Sequence, residues 1–97
     1  MRFEIVFAPE AIEDVQGFKA YLRAHVRDAI EQHLRHAPTA VSASRIKRLR
    51  GMARPQFRLR VDDLRVFYDV TQGTVEVLAV VHKSEAAAWL KRMEGSP

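Results

Sequence analysis

Three arginines and one histidine are the residues of this 97-residue sequence whose types and spacing best suit chemistry on an anion. Arg58, Arg60 and Arg65 can bind phosphate or carboxylate groups through charge-assisted hydrogen bonds. His82 has a reference pKa of about 6.5, which suits proton transfer near neutral pH. These residue types indicate an anion site with a group beside it that can exchange a proton.

The segment from Phe57 to His82 must position these side chains, and its pattern predicts three antiparallel strands. Apolar and polar residues alternate, with breaks at Asp62-Asp63 and at Gln72-Gly73. Two-residue turns at these breaks fix the register and place Arg60 opposite Arg65. The other predicted pairs are Val61 with Leu64, Leu59 with Val66, Phe57 with Tyr68, Val70 with Val75, Tyr68 with Val77, Val66 with Ala79, and Leu64 with Val81.

The two faces of this predicted meander differ in character. The like-charged pair of Arg60 and Arg65 favours an anion bound between them, although long guanidinium side chains could instead spread into solvent and shield apolar neighbours. The apolar face is predicted to form the core, with Phe57, Leu59, Val61, Leu64, Val66, Tyr68, Val70, Val75, Val77, Ala79 and Val81. The opposite face is predicted to carry Arg58, Arg60, Arg65, Phe67, Leu78, Val80 and His82.

Helical segments flank the meander. A short strand is predicted over Arg2 to Phe7, and a helix then begins at Pro9, which suits a first turn. The helical apolar spacing continues to Ala37, which would give one helix on the order of 43 Å long. A chain of this length has a radius of gyration of only about 12 to 13 Å, so we expect a reversal near Tyr21 to His25. Ser84 is predicted to cap a short closing helix.

The composition limits the class of protein. The length predicts one domain over residues 1–97, and the absence of cysteine excludes disulfides and thiolate metal sites. No apolar run is long enough for a membrane span or a signal peptide, so the sequence predicts a cytoplasmic protein with no membrane association. His33 and His36 lack a third ligand in suitable spacing, so no metal and no cofactor are expected.

Positive charge is concentrated in the segment from Arg45 to Arg65. Eight basic and two acidic residues give this segment a charge of +6, although the whole chain carries only +4. One-sign clustering of this kind attracts nucleic acid or an acidic protein partner. Besides the three arginines above, the segment contributes Arg45, Lys47, Arg48, Arg50 and Arg54.

Several strings along the chain resemble a known family. FAPEAIEDV follows the first strand, and RLRGMARPQFRLRV, DLRVFYDV and TVEVLAVVHKSEAAAWL come later in that order. Together they resemble the RelE/ParE superfamily of bacterial toxins from type II toxin–antitoxin operons, over nearly the whole chain. The resemblance implies an α+β fold, RelE-like, with an N-terminal strand, a helical hairpin, an antiparallel meander sheet and a short C-terminal helix. It also implies a cognate antitoxin as protein partner.

In the RelE branch the resemblance implies an endoribonuclease that cuts mRNA on the ribosome without a metal. The ribose 2′-OH attacks the adjacent phosphate and leaves a 2′,3′-cyclic phosphate. By position, Arg58 and Arg60 match the paired basic residues of the family, Arg65 matches an arginine at the start of the next strand, and Lys83 matches a basic residue after the last strand. The predicted catalytic residues are Arg60, Arg65, His82 and Lys83, and the predicted RNA-binding residues are Lys47, Arg48, Arg50, Arg54 and Arg58.

Two departures from the family pattern keep other functions open. Arginines stand where active ribonucleases can have lysine, and a guanidinium is a poor general base. The C-terminal tyrosine is missing, since Ala87 or Trp89 occupies that part of the closing helix, so His82 is the candidate for proton transfer. The alternatives are a ParE-like non-enzymatic inhibitor of DNA gyrase, a catalytically weak RelE homologue and a plain nucleic-acid-binding module. We also expect the antitoxin to cover the apolar patch of Phe67, Leu78 and Val80.

Overall fold

Five strands and three helices build the fold over residues 1–95. In chain order they are β1 (Glu4–Phe7), α1 (Pro9–Gln16), α2 (Ala20–Leu34), β2 (Ile46–Arg48), β3 (Phe57–Val61), β4 (Leu64–Thr71), β5 (Thr74–His82) and α3 (Lys83–Glu94). This computed structural model describes residues 1–95, so the last two residues of the predicted domain lie outside the described range. The strands form one mixed sheet in the order β1-β5-β4-β3-β2, with β1 parallel to β5 and all other neighbours antiparallel. The predicted α+β class is confirmed.

The chain turns between α1 and α2 at Gly17 to Lys19, which is earlier than the sequence predicts. Gly17 caps α1, and its N–H donates to the carbonyl oxygen of Glu13 at 3.2 Å. The Arg23 side chain donates to the carbonyl oxygen of Phe18 at 3.0 Å, which satisfies a carbonyl in the break. The predicted reversal near Tyr21 to His25 is therefore wrong. The apolar repeat hid the break because both helices bury their apolar side chains in one core cluster.

That cluster, called here the main core, joins α1 and α2 to one face of the sheet. The strands contribute large side chains, and the stacked rings of Phe57 and Tyr68 lie 5.5 Å apart between centroids. The Tyr68 hydroxyl donates to the carbonyl oxygen of Pro38 at 2.6 Å, so the buried phenol keeps a partner. The helical members are Ala11, Val15, Val26, Ile30 and Leu34, and the main sheet members are Ile46, Phe57, Leu59, Val61, Leu64, Val66, Tyr68, Val75, Val77 and Val80.

The hairpin of β3 and β4 has the predicted register throughout. Phe57 pairs with Tyr68, and Arg60 lies opposite Arg65. Asp62 occupies the turn with a φ of 52°, a left-handed conformation that aspartate tolerates better than most residues. The sequence therefore predicted this half of the meander correctly.

A β-bulge changes the second half of the meander. Next to the turn, Val70 pairs with Val75 and Tyr68 pairs with Val77, as predicted. Leu78 is then an extra residue on β5, and the register shifts between Phe67 and Tyr68. Beyond the bulge, Val66 pairs with Val80 and Leu64 with His82, so the predicted pairings with Ala79 and Val81 are wrong.

The bulge also changes which residues share a face, because a slip of one residue moves each side chain to the opposite side of a strand. Val80 belongs to the main core, not to the arginine-bearing face. His82 likewise shares its side of the sheet with Leu64 rather than with Arg65. The predicted placement of both residues beside the arginines is therefore corrected.

Helix α3 covers the second face of the sheet. Phe67, Leu78, Ala79 and Trp89 form a cluster, called here the second core, in which Phe67 is fully buried and Trp89 is 3% exposed. The rings of Phe67 and Trp89 stack with centroids 4.8 Å apart. The expected apolar patch for an antitoxin is therefore closed by the chain's own helix. None of the helices within residues 1–95 has the length and apolar composition needed to cross a membrane.

The bulge is held by Asp14 of α1, a residue that sequence reasoning passed over. Its Oδ2 accepts a hydrogen bond of 2.9 Å from the N–H of Val80. Burial raises the pKa of Asp14, and nearby Glu10, Glu13 and Glu85 add to the rise, although the bond from Val80 opposes it. The ionised carboxylate is thus less favourable in the folded chain than in water.

We expect the Asp14→Asn variant to change how stability depends on pH. Folding raises the pKa of Asp14, so protonated Asp14 contributes to the stability of the fold. This contribution is fully present below the unfolded pKa of about 3.9 and is lost as pH rises through the folded pKa. Between about pH 7 and pH 4, the native chain should therefore gain stability relative to the variant. Urea unfolding at a series of pH values measures this difference, and a constant difference contradicts the prediction.

Candidate functional site

Arg58, Arg60 and Arg65, called here the arginine cluster, lie on the sheet face that carries α3. Arg58 pairs with Phe67 across β3 and β4, and Arg60 pairs with Arg65. Cross-strand partners project to the same side of a sheet, so the three side chains start from neighbouring positions. The structure therefore brings together the three arginines that the sequence places on one face.

Arg58 is the most unusual member of the cluster. Its Nε atom is buried and finds no hydrogen-bond partner among residues 1–95. Burial lowers the pKa of the Arg58 guanidinium, and the positive charges of Arg65 and Arg60 lower it further. A half-buried cation surrounded by like charges is unfavourable without an anion, so this part of the sheet is electrostatically suited to hold one.

Arg65 has a structural role as well. Its Nη1 donates to the carbonyl oxygen of Asp62 at 2.8 Å and to that of Leu64 at 2.9 Å. These bonds tie the guanidinium to the β3–β4 turn and fix its position. Arg65 is therefore preorganised for a ligand by its own turn, whereas the Arg60 side chain shows no hydrogen bond to protein groups within residues 1–95.

Lys83 and Asp63 extend the site toward the start of α3. The Lys83 Nζ lies 3.2 Å from Asp63 Oδ1, and the Lys83 backbone N–H donates to the Asp63 carbonyl oxygen at 2.7 Å. Lys83 lowers the pKa of the Asp63 carboxyl, with smaller effects of His82 and Arg65. The predicted catalytic residues Arg65, His82 and Lys83 thus all act on one carboxylate, which places them in one neighbourhood.

His82 begins the closing helix, a role the sequence assigned to Ser84. The His82 Nδ1 accepts from the backbone N–H of Ser84 at 3.2 Å and lies 2.9 Å from the Ser84 hydroxyl. An accepting Nδ1 carries no proton, so the neutral ring in this arrangement has its proton on Nε2. In this tautomer Nε2 can donate a hydrogen bond but cannot accept a proton.

Arg54 is paired with carboxylates and is not a member of the arginine cluster. Its Nε donates to Asp69 Oδ2 at 2.8 Å and its Nη2 to Glu76 Oε1 at 3.0 Å. Asp69 is only 7% exposed and also accepts from the backbone N–H of Gln56 at 2.8 Å. Two carboxylates thus neutralise Arg54, and this predicted RNA-binding residue fastens the loop before β3 to the sheet. Sequence reasoning missed Asp69, for which a carboxylate inside an apolar strand was the available signal.

The remaining predicted RNA-binding residues lie at the free edge of the sheet. Lys47 pairs with Arg58 and extends the row of positive charge across β2. Arg48 points to the other face, where its guanidinium lies 5.2 Å from the centroid of the Phe57 ring. Arg50 follows β2 and is exposed. The basic segment from Arg45 to Arg65 therefore divides over both faces and one edge, and does not form a single surface.

The two histidines considered for metal binding make separate contacts. Burial lowers the pKa of His33, with a further effect of Arg45, and His36 lies 3.3 Å from the carbonyl oxygen of Met1. Within residues 1–95 no three histidine, aspartate or glutamate side chains are grouped to hold a metal ion.

Comparison with known proteins identifies the family. The model described as the ParE toxin of the type II toxin–antitoxin system, parDE, matches residues 5–87. No curated protein sequence matches the chain significantly.

Solved structures share the fold. A chain of the RelBE2 toxin–antitoxin complex from Mycobacterium tuberculosis has a TM-score of 0.73 at 24% identity, covering 84% of this chain and 92% of that one. A mutant of the Escherichia coli toxin RelE in the free state has a TM-score of 0.70 at 21% identity, covering 98% and 97%. The RelB–RelE antitoxin–toxin complex from Methanococcus jannaschii gives 0.66 at 19%, covering 87% and 96%. Because the family model spans most of the chain, this protein belongs to the ParE toxin family of type II toxin–antitoxin systems, within the RelE/ParE superfamily.

Proposed function

We propose that this toxin is a metal-independent endoribonuclease that cuts mRNA on the ribosome and thereby inhibits translation in the cytoplasm. The observation that supports the proposal is the buried Nε of Arg58, which has no hydrogen-bond partner among residues 1–95 and lies beside Arg60 and Arg65. Three converging guanidinium groups suit the phosphate that gains charge when the ribose 2′-oxygen attacks it. No cofactor enters the proposed reaction.

The proposed chemistry divides between binding and proton transfer. Arg58, Arg60 and Arg65 hold the scissile phosphate and stabilise the five-coordinate phosphorane. The 2′-oxygen bonds to phosphorus, its proton passes to water, and the bond from phosphorus to the 5′-oxygen breaks. His82 gives a proton to that leaving oxygen from its imidazolium form, in which Nδ1 no longer accepts from the Ser84 N–H. Its side chain starts on the opposite side of the sheet from Arg65, but at the end of β5, where both residues lie near Asp63. The product then carries a 2′,3′-cyclic phosphate.

We further propose an antitoxin partner that docks beside β1. Relatives of this fold are found in toxin–antitoxin complexes. Two open grooves of about 320 Å³ each lie beside β1, and both are lined by Phe7 and Arg27. Exposed Val6 and Ile12 flank this region, at 43% and 44%. An amphipathic antitoxin segment with a carboxylate for Arg27 fits this surface better than the closed patch at Phe67.

Induced expression tests the proposed activity. A ribonuclease stops protein synthesis at once and leaves mRNA fragments whose ends carry 2′,3′-cyclic phosphate, which ligation-based sequencing detects. Intact messages together with induction of the DNA damage response contradict the proposal and support the second candidate.

That second candidate is non-enzymatic inhibition of DNA gyrase. It is favoured by the family model, which is that of ParE. It is also favoured by α3, where Ala87 and Trp89 cannot transfer a proton and Trp89 is buried against Phe67. In this reading the arginine cluster contacts carboxylates of a protein instead of phosphates.

The His82→Asn variant separates proton transfer from helix capping. Asparagine is a good N-cap residue, so it keeps the bond to the Ser84 N–H but has no transferable proton. We expect mRNA cleavage to fall about a hundredfold, while RNA binding and the melting temperature stay near those of the parent. Ser84→Ala is the control, because it removes the hydroxyl contact and keeps the imidazole. Unchanged cleavage by the asparagine variant excludes His82 from the reaction.

A further inference from the structure

An open groove lies where β2 meets the end of α3, away from the turn that holds Arg65. It has a volume of about 380 Å³. It is called here the β2 groove, and its lining residues are Lys47, Arg48, Leu49, Arg50, Met52, Leu90 and Glu94. The reaction proposed above uses none of them.

The floor of the β2 groove is aliphatic. Leu49 and Leu90 are half-buried and pack against the second core, and Met52 is half-buried beside them. No aromatic side chain lines the groove within the described residues. Nucleic-acid bases bind most strongly by stacking on aromatic rings, so this floor suits an aliphatic or aromatic side chain of a protein better than a base.

The rim of the β2 groove is basic. Lys47 and Arg50 are opposed by one carboxylate, that of Glu94. Arg48 also lines the groove, but its guanidinium lies over the Phe57 ring on the other face of the sheet. Neither Lys47 nor Arg50 forms a salt bridge in the part of the chain that the structure describes. Their charge is therefore available to a ligand, and the net charge of the lining selects an acidic one.

The free edge of β2 adds a directional contact. The bonds from Arg60 N–H to the Arg45 carbonyl and from Leu49 N–H to the Gln56 carbonyl show that odd-numbered residues of β2 face β3. The N–H and C=O of Arg48 therefore point outward. The equivalent groups of Ile46 are already bonded to Ser42. An extended peptide can thus form one backbone pair, at Arg48.

From these features we infer that the β2 groove is a docking site for an acidic protein segment in extended conformation. Its carboxylates meet Lys47 and Arg50, one apolar side chain rests on Leu49 and Leu90, and its backbone pairs with Arg48. The inference concerns a protein ligand at a surface separate from the proposed reaction. It stands whether the toxin cuts RNA or inhibits gyrase.

Fluorescence anisotropy with the purified chain tests this inference. The probe is a short fluorescein-labelled peptide of aspartate and glutamate with one central leucine. Matched probes replace that leucine by serine, or replace the carboxylates by amides, and a labelled oligouridine of similar length represents nucleic acid. We expect the leucine peptide to bind at least about tenfold more tightly than either altered peptide.

Two variants locate the site. The double variant Lys47→Glu/Arg50→Glu should bind the leucine peptide at least about tenfold more weakly than the parent. The control Arg2→Glu/Lys19→Glu makes the same charge change at exposed positions outside the groove, and its affinity for the leucine peptide should stay within about twofold of the parent. Met52→Ser should lower the affinity for the leucine peptide but not the affinity for the serine peptide. Failure of the leucine peptide to bind overturns the inference. The inference is also overturned if the oligouridine binds more tightly than the leucine peptide and this binding is lost in Lys47→Glu/Arg50→Glu. That result would assign the groove to nucleic acid.

Discussion

Replacing Trp89 by alanine lowers the free energy of unfolding by about 3 to 5 kcal/mol, the usual cost of deleting a buried aromatic side chain. Trp89 is 3% exposed and stacks on Phe67 with an interplanar angle of 6°. Its indole Nε1 also donates to Glu10 Oε2 at 2.5 Å and so ties α3 to α1. Without the ring, Phe67 and Leu78 lose their cover, and α3 keeps few other contacts with the sheet.

Urea unfolding followed by far-UV circular dichroism measures this loss, since Trp89 is the only tryptophan of the sequence and its fluorescence disappears in the variant. Trp89→Phe is the matched control. It keeps a stacked ring but leaves the Glu10 carboxylate without the indole donor, so we expect a smaller loss of about 1 to 2 kcal/mol. A loss below about 1 kcal/mol in the alanine variant would mean that α3 contributes little to the fold.

Replacing Arg58 by methionine should have opposite effects on stability and on activity. Methionine keeps an unbranched stem beside Phe67 and removes a half-buried cation whose Nε has no partner in the described part of the chain, so the free energy of unfolding should rise by about 1 kcal/mol. If Arg58 holds the scissile phosphate, mRNA cleavage should fall by about a hundredfold to a thousandfold. Thermal unfolding and a ribosome-dependent cleavage assay measure the two effects.

Arg54→Met is the control, because it removes the same positive charge from an arginine that is already neutralised. Losing the bonds to Asp69 and Glu76 should lower stability by about 1 kcal/mol and leave cleavage within about threefold of the parent. Equal loss of cleavage in both variants would show that net charge, and not the position of Arg58, determines the activity. A destabilised Arg58→Met variant would show that the guanidinium contributes to the fold.

The sequence by itself determined the elements that depend on local pattern. Alternation and turn residues predicted the β3–β4 hairpin in its observed register, because a two-residue turn leaves only one way to pair its strands. Pro9 and the helical apolar spacing predicted the start of α1, and a short closing helix was predicted where α3 lies. The resemblance of several strings to the RelE/ParE superfamily was sufficient to predict the fold and the family.

Only the tertiary structure decided which side of the sheet several residues occupy. The run of Leu78 to Val81 is uniformly apolar, so nothing in it marks the bulge that a distant carboxylate, that of Asp14, holds in place. The sequence also did not show which charged groups each arginine meets. Arg54 and Arg58 look alike in the sequence, yet one meets two carboxylates and the other is half-buried beside two arginines. Local spacing fixes which residues are near in a hairpin, whereas burial and charge pairing depend on segments far apart in the chain, which meet only when the sheet is complete.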